Sequence, residues 1–158
     1  MEVLHYEFKG MLYDEWELNK TYITSARTIR EAEIVNYVDL SGNSNPLHTN
    51  DLFAKNTPKG LKSVPEGLLF ILVNGVDTAT LWVDGSYIGL LDQQLTFLET
   101  VYVGDTIFVT KTPIEMRRSR KPGRGIITFQ VCVYNQDDKI VAEGKWVILM
   151  ATDKEHME

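Results

Sequence analysis

Val64-Pro65-Glu66-Gly67-Leu68-Leu69-Phe70-Ile71-Leu72-Val73-Asn74-Gly75-Val76 opens the longest apolar segment of the chain, and whatever it forms has to sit at the centre. Proline is suited to the first position of a helix, where its missing N–H is no loss and its fixed φ is already helical, so Pro65 predicts a helix start. Leu68, Leu69, Ile71, Leu72, Val73, Val76, Ala79 and Leu81 then put apolar groups on almost every face, which predicts a central, largely buried helix. The first turn, 64–67, carries N–H groups without intrahelical partners at the positive end of the helix dipole, an arrangement that stabilises negative charge on a bound carbonyl oxygen. Glu66 in that turn fits dipole complementation and a chemical role equally well.

Working outward from this helix, four strand-like runs follow: Tyr87 to Phe97, Asp105 to Glu115, Gly125 to Asn135 and Lys139 to Met150. The connections at Val103-Gly104-Asp105-Thr106 and Asn135-Gln136-Asp137-Asp138 are rich in turn formers, which favours antiparallel neighbours with short links. Upstream, Thr21 to Thr28 alternates as a strand does, and Thr28 with Glu31 forms a capping-box pattern ahead of a helix in which Ile34, Tyr37, Val38 and Leu40 keep near-helical spacing up to Ser41. Thr49 to Lys55 predicts a short helix with Leu52, Phe53 and Ala54 inward. Met1 to Lys20 shows no sustained period and predicts an irregular arm packed on the domain. The order strand, helix, buried helix and consecutive long strands predicts an α+β fold, a curved antiparallel sheet wrapped round one long helix, in a single domain over 1–158.

Between the two helices lies Ser41-Gly42-Asn43-Ser44-Asn45-Pro46-Leu47-His48. Gly42 and the Asn45-Pro46 step end the preceding helix, and His48, the side chain most readily tuned for proton exchange near neutral pH, arrives on a constrained backbone beside two amides.

Composition bounds the possibilities. The 158 residues are 44% hydrophobic and 24% charged, as in a globular domain large enough to bury a core without disulfides. No apolar run reaches the roughly 18 residues of a membrane span, and Met1 is followed by Glu2, His5, Glu7 and Lys9 instead of a signal-peptide pattern, so the expectation is a cytoplasmic protein. A net charge of -6 argues against nucleic acid as the main partner. Cys132, inside an apolar run, reads as a small buried hydrophobe. His5, His48 and His156 lack ligand spacing with Cys132 or with each other, so no metal site is expected. One basic cluster stands out, Arg117, Arg118, Arg120, Lys121 and Arg124, which is either a solvated hairpin or an attractor for a phosphorylated small molecule.

With these elements placed, the sequence resembles the MaoC-like dehydratase family, hotdog-fold proteins related to (R)-specific enoyl-CoA hydratases. Ser41, Gly42, Asn45, Pro46, Leu47 and His48 fall in register with the family pattern S-G-D-x-N-P-[IL]-H. Phe53-Ala54, Thr57-Pro58, Gly60, Gly104-Asp105-Thr106 and Ser119 to Gly125 resemble its later signatures, so that the similarity spans about Thr21 to Met150. In that family an Asp and a His hold the water that adds across the double bond of a trans-2-enoyl thioester, and backbone N–H groups near the helix-turn Gly hold the carbonyl oxygen. Carried over, His48 is a catalytic candidate and Gly67 a backbone donor. Two positions depart: the family Asp is Asn43 here, and the usual A-H-G turn is Pro65-Glu66-Gly67. A neutral amide positions a water but accepts no proton, which makes Glu66 the candidate substitute, with Asn43 and Asn45 orienting water.

The resemblance therefore implies an acyl-CoA hydratase or dehydratase, a lyase, with a rearranged pair. Its alternatives are a non-catalytic or weakly active acyl-thioester-binding module and an acyl-CoA thioesterase using Glu66. Coenzyme A enters only as part of the thioester substrate, with no separate cofactor. Arg118, Arg120, Lys121 and Arg124, from the same subunit or a neighbour, are the candidate contacts to its phosphates. An uncovered sheet edge, together with the resemblance, implies at least a homodimer.

Overall fold

The computed structural model describes residues 6–157; of the expected N-terminal arm, residues 1–5 with His5 lie outside it. Along the chain run β1 (Tyr22–Ile23), β2 (Arg27–Thr28), α1 (Glu31–Ser41), α2 (Pro46–Thr49), α3 (Asp51–Ala54) and α4 (Glu66–Thr78), then β3 (Tyr87–Gln93), β4 (Thr96–Phe97), β5 (Thr106–Arg118), β6 (Arg124–Tyr134) and β7 (Ile140–Ala151). The sheet is antiparallel in the order β1-β5-β6-β7-β3, with β2 also on β5 and β4 also on β7.

The central strands β5, β6 and β7 alternate buried and more exposed residues along most of their length. β5 buries Ile107, Val109, Lys111 and Pro113 on the face toward α4 and leaves the residues between them partly exposed. Leu68, Leu69, Leu72, Val73 and Val76 of α4 pack in one cluster with Val109, Ile127, Phe129, Val131, Trp146 and Ile148 of the sheet. Each such side chain stabilises the fold by roughly 1.5–3 kcal/mol relative to exposure, so the helix is fixed chiefly by burial of one face. Its other face is open. Ile71 is exposed, contrary to the expectation of apolar contact all round, because the sheet covers only one flank of the helix; Leu81, also exposed, falls beyond α4, in the turn after it. Pro65 stands one position earlier than expected, at the N-cap.

Several local expectations are corrected. Thr28 does not cap α1: its hydroxyl meets Thr106 Oγ1 at 2.7 Å across the β2–β5 pair, and α1 starts later, with Arg30 at the N-cap and the Glu33 carboxylate accepting the Arg30 N–H at 2.6 Å. The strand expected over Thr21 to Thr28 is two short pieces, since Thr24 inserts its hydroxyl into the ladder as acceptor for the Val109 N–H at 3.0 Å. The helix expected over Thr49 to Lys55 is split between α2 and α3 at Asn50, whose Oδ1 accepts from the N–H groups of Leu52 and Phe53; only Ala54 turns inward, with Leu52 and Phe53 exposed. Leu40 is also exposed, and Cys132 is only partly buried, on the outward register of β6. The arm contributes more than expected: Tyr13 and Trp16 belong to the core, Trp16 lying edge-on to Phe129 with centroids 4.9 Å apart.

Candidate active site

α1 ends at Gly42, whose φ of 72° is the left-handed value that favours glycine and whose N–H closes on Val38 O at 2.8 Å. Asn45 then caps α2, its Oδ1 accepting the Leu47 N–H at 3.0 Å with Pro46 at the first helical position. This turn carries His48 inward until it is almost fully buried. The receiving segment, 62–64, is held on both sides. Ser63 N–H donates to Leu47 O at 3.1 Å, Val64 N–H to Val101 O at 2.8 Å, and Val103 N–H to Lys62 O at 3.1 Å, with Ser63 and Tyr102 paired as an antiparallel bridge. Lys62 clamps the outside of this segment by reaching Glu31 at 2.6 Å and Asp51 at 2.8 Å. Hydrogen bonding to Asp51, then to Glu31, holds its ammonium above the usual lysine range.

His48 Nδ1 lies 2.7 Å from Ser63 O and 3.2 Å from Ser63 Oγ. A carbonyl only accepts, so Nδ1 carries the proton and Nε2 is left as the acceptor. His48, Ser63 and Glu66 line one cleft of about 410 Å³ together with Asn45, Leu47, Thr57, Pro58, Thr100 and Tyr102. Glu66 also lines an adjoining recess of about 170 Å³ with Val64, Leu69, Phe97, Leu98 and Val101 among its walls. The first intrahelical bond of α4 is Leu69 N–H to Pro65 O, at 2.9 Å, which leaves the preceding N–H groups outside the helical ladder.

Of the residues singled out in the sequence, His48, Glu66 and Asn45 come together at this cleft. Asn43 and Gly67 are not among its lining residues: Asn43 sits partly exposed after α1 with its N–H on Ser41 Oγ, and Gly67 is exposed at the helix turn against Tyr37. The basic cluster forms the β5–β6 hairpin. β5 leaves Tyr102 behind at its start and reaches the hairpin after on the order of 40 Å of extended chain, so Arg118, Arg120, Lys121 and Arg124 stand at the far end of that strand from the cleft. Arg118 is engaged there, one guanidinium nitrogen donating to both carboxylate oxygens of Asp14 at 2.6 Å, with its Cζ 4.8 Å from the Tyr13 ring centroid. Ser63 and Tyr102 escaped the sequence reading. Their importance comes from a long-range bridge that no local pattern signals.

An antiparallel sheet packed against one long helix, with a polar cleft at the helix N-terminal turn, is the hotdog fold. A conserved hypothetical protein from Mycobacterium tuberculosis with a double hotdog fold has a TM-score of 0.80 to this chain at 20% identity, over 92% of this chain and 46% of that one. A family model described as MaoC like domain matches residues 15–135, and the chain belongs to that family. It is 24% identical over 150 residues to the 3-hydroxybutyryl-CoA dehydratase of Methylorubrum extorquens, covering 94% of this chain and 90% of the relative. The solved (R)-hydratase from A. caviae involved in PHA biosynthesis is 27% identical with a TM-score of 0.69, over 84% of this chain and 95% of that one.

Proposed function

We propose that the chain is an acyl-CoA hydratase or dehydratase that adds water across the double bond of a short trans-2-enoyl-CoA, or removes it from the 3-hydroxyacyl-CoA. The observation that carries this is the tethered His48: Nδ1–H is taken up by Ser63 O, so the basic Nε2 is the free nitrogen of a side chain that shares a cleft with Glu66. Nε2 takes one proton from water as the oxygen bonds to Cβ. The π pair moves to give an enolate with its charge on the thioester oxygen, and the imidazolium returns the proton to Cα, so one base completes the addition. The Glu66 carboxylate, which lines the same cleft, stabilises the imidazolium and orients the water. Family membership and the dehydratase and hydratase relatives support the reaction class. The adjoining recess, in which Leu69, Phe97 and Leu98 stand beside Glu66, Glu99 and Thr100, has room for a short acyl chain.

Coenzyme A is the proposed carrier of the acyl group. The outer edge of β3 has no strand partner among the described residues, and Leu90 and Leu91 on it are exposed, which supports a second copy pairing there in a homodimer. Incubation with crotonyl-CoA tests the reaction: enone absorbance falls without release of thiol. Free thiol in its place would mean thioester hydrolysis, and a bound but unchanged ligand a binding module.

A further inference from the structure

Tyr102 is 6% exposed, yet it stands apart from the main apolar cluster to which its neighbour Val101 belongs. Its backbone is pinned three ways. It pairs with Ser63 as an antiparallel bridge, its N–H donates to Asp105 Oδ2 at 2.8 Å, and its carbonyl accepts the Asp105 N–H at 3.0 Å. The ring is held as well, with Lys59 Nζ lying 5.0 Å from its centroid. The hydroxyl, by contrast, has no hydrogen-bond partner among the described residues. Nor is it one of the sealed atoms lacking a partner, which there are Trp16 Nε1, Ser86 Oγ and Trp146 Nε1. The oxygen therefore keeps solvent access, and the space that Tyr102 lines is the cleft of His48, Ser63 and Glu66.

A phenol that is nine-tenths buried, rigidly mounted and left without a protein partner is a preorganised hydrogen-bond donor for something that enters the cleft. The thioester substrate offers one strong acceptor there, the carbonyl oxygen that becomes the enolate oxygen. Lys59, itself paired with Asp105 at 3.4 Å, covers the ring face and fixes the ring's position without engaging the hydroxyl. Glu66 and the imidazole Nε2 on the neighbouring wall are both acceptors, so a hydroxyl donor supplies what they do not.

We propose that Tyr102 is a catalytic residue of this site, its hydroxyl donating a hydrogen bond to the thioester carbonyl oxygen and strengthening that bond as the enolate forms. This rests on the reaction proposed above and adds a residue that the sequence pattern does not mark.

Y102F removes only the hydroxyl and keeps the ring that fills the wall. The expected result is a kcat lower by roughly 10²-fold, the usual cost of losing one such donor, with KM for crotonyl-CoA within about threefold and an unchanged melting temperature. The infrared carbonyl band of bound crotonyl-CoA gives a reading that a structural role would not move: it lies at lower frequency on the wild type than on Y102F. Equal kcat and equal band position in a wild type that hydrates crotonyl-CoA overturn this inference alone. A wild type that neither hydrates the thioester nor shifts its carbonyl band overturns the proposed reaction along with it.

Discussion

The hydroxyl of Tyr37 occupies the place a side chain on Gly67 would need: a Cβ built there runs into Tyr37 Oη, with Tyr37 Cζ at 3.1 Å. Packing of the Tyr37 ring end on the first turn of α4 therefore favours glycine there, independently of any role for its N–H. Gly67→Ala is expected to cost about 1–3 kcal/mol through overpacking, read as a lower urea midpoint. Gly67→Ala/Tyr37→Leu, which clears the space, recovers most of that loss. Activity separates the two roles of Gly67. Return of turnover with stability in the double variant assigns the glycine to packing, whereas stability without turnover assigns it to the carbonyl oxygen.

Lys111 and Asp77 form an ion pair inside the core. Lys111 is 0% exposed, its Nζ reaching Asp77 Oδ2 at 2.9 Å and lying 4.4 Å from the Phe129 ring centroid. Burial pulls the ammonium below the usual lysine range, against the opposing pull of Asp77. Removing one partner strands the other, so Lys111→Met and Asp77→Leu alone each cost about 3–5 kcal/mol, and the double variant is near wild type or above it. The pH dependence has a definite sign. Between the lowered folded value and the unfolded value near 10.5 the unfolded chain holds the extra proton, so wild-type stability relative to the double variant rises with pH in that window. Below the folded value the difference is flat. Urea midpoints of both proteins from pH 7 to about 10.5 check this, and a difference that falls with pH would contradict it.

Lys111 also shows where sequence reading stops. The strand holding it was legible from the β-forming run Ile107-Phe108-Val109-Thr110, and its alternating burial carries Lys111 inward; only its partner Asp77, thirty-four positions away, makes that tolerable. α4 and the strands β5, β6 and β7 announced themselves by apolar content long enough to outweigh local accidents, whereas the single strand expected over Tyr87 to Phe97 breaks into β3 and β4, and α4 stops at Thr78, short of the expected Leu81. Thr28 misled because a hydroxyl that suits a helix cap suits a cross-strand contact with Thr106 equally well. Tyr13 and Trp16 were hidden in a segment without period, since single aromatics dock individually. At the site, the motif located His48, but the depth of the cleft and its far wall depend on Ser63 and Tyr102 meeting across the fold.

The Arg118–Asp14 pair joins the basic hairpin to the arm, and both side chains are more than half exposed. An exposed pair of this kind contributes at most about 1 kcal/mol, so Arg118→Ala lowers stability by less than that and loosens the 13–15 turn. For ligand binding, the combination Arg120→Ala/Lys121→Ala/Arg124→Ala is more informative, because the hairpin lies at the end of β5 remote from its own cleft. If the hairpin acts on the cleft of a neighbouring copy, crotonyl-CoA affinity falls and its salt dependence flattens in this variant. Matching salt slopes in variant and wild type remove the hairpin from substrate binding.

His48, Glu66 and Asn43 are separated by one set of rates. His48→Ala removes the proposed base and lowers kcat by about 10²–10⁴-fold, while Ser63→Ala, which keeps the carbonyl that fixes the tautomer, costs about tenfold or less. Glu66→Gln keeps size and hydrogen bonding but removes the charge facing the imidazolium. Its kcat falls by roughly 10–10²-fold with KM within about threefold, because that charge matters only once the proton has moved. Asn43 does not line the cleft, so Asn43→Asp stays within about threefold of wild type. A large gain from Asn43→Asp, with Glu66→Gln at full activity, would return the second catalytic role to the end of α1 and take it from the N-terminus of α4.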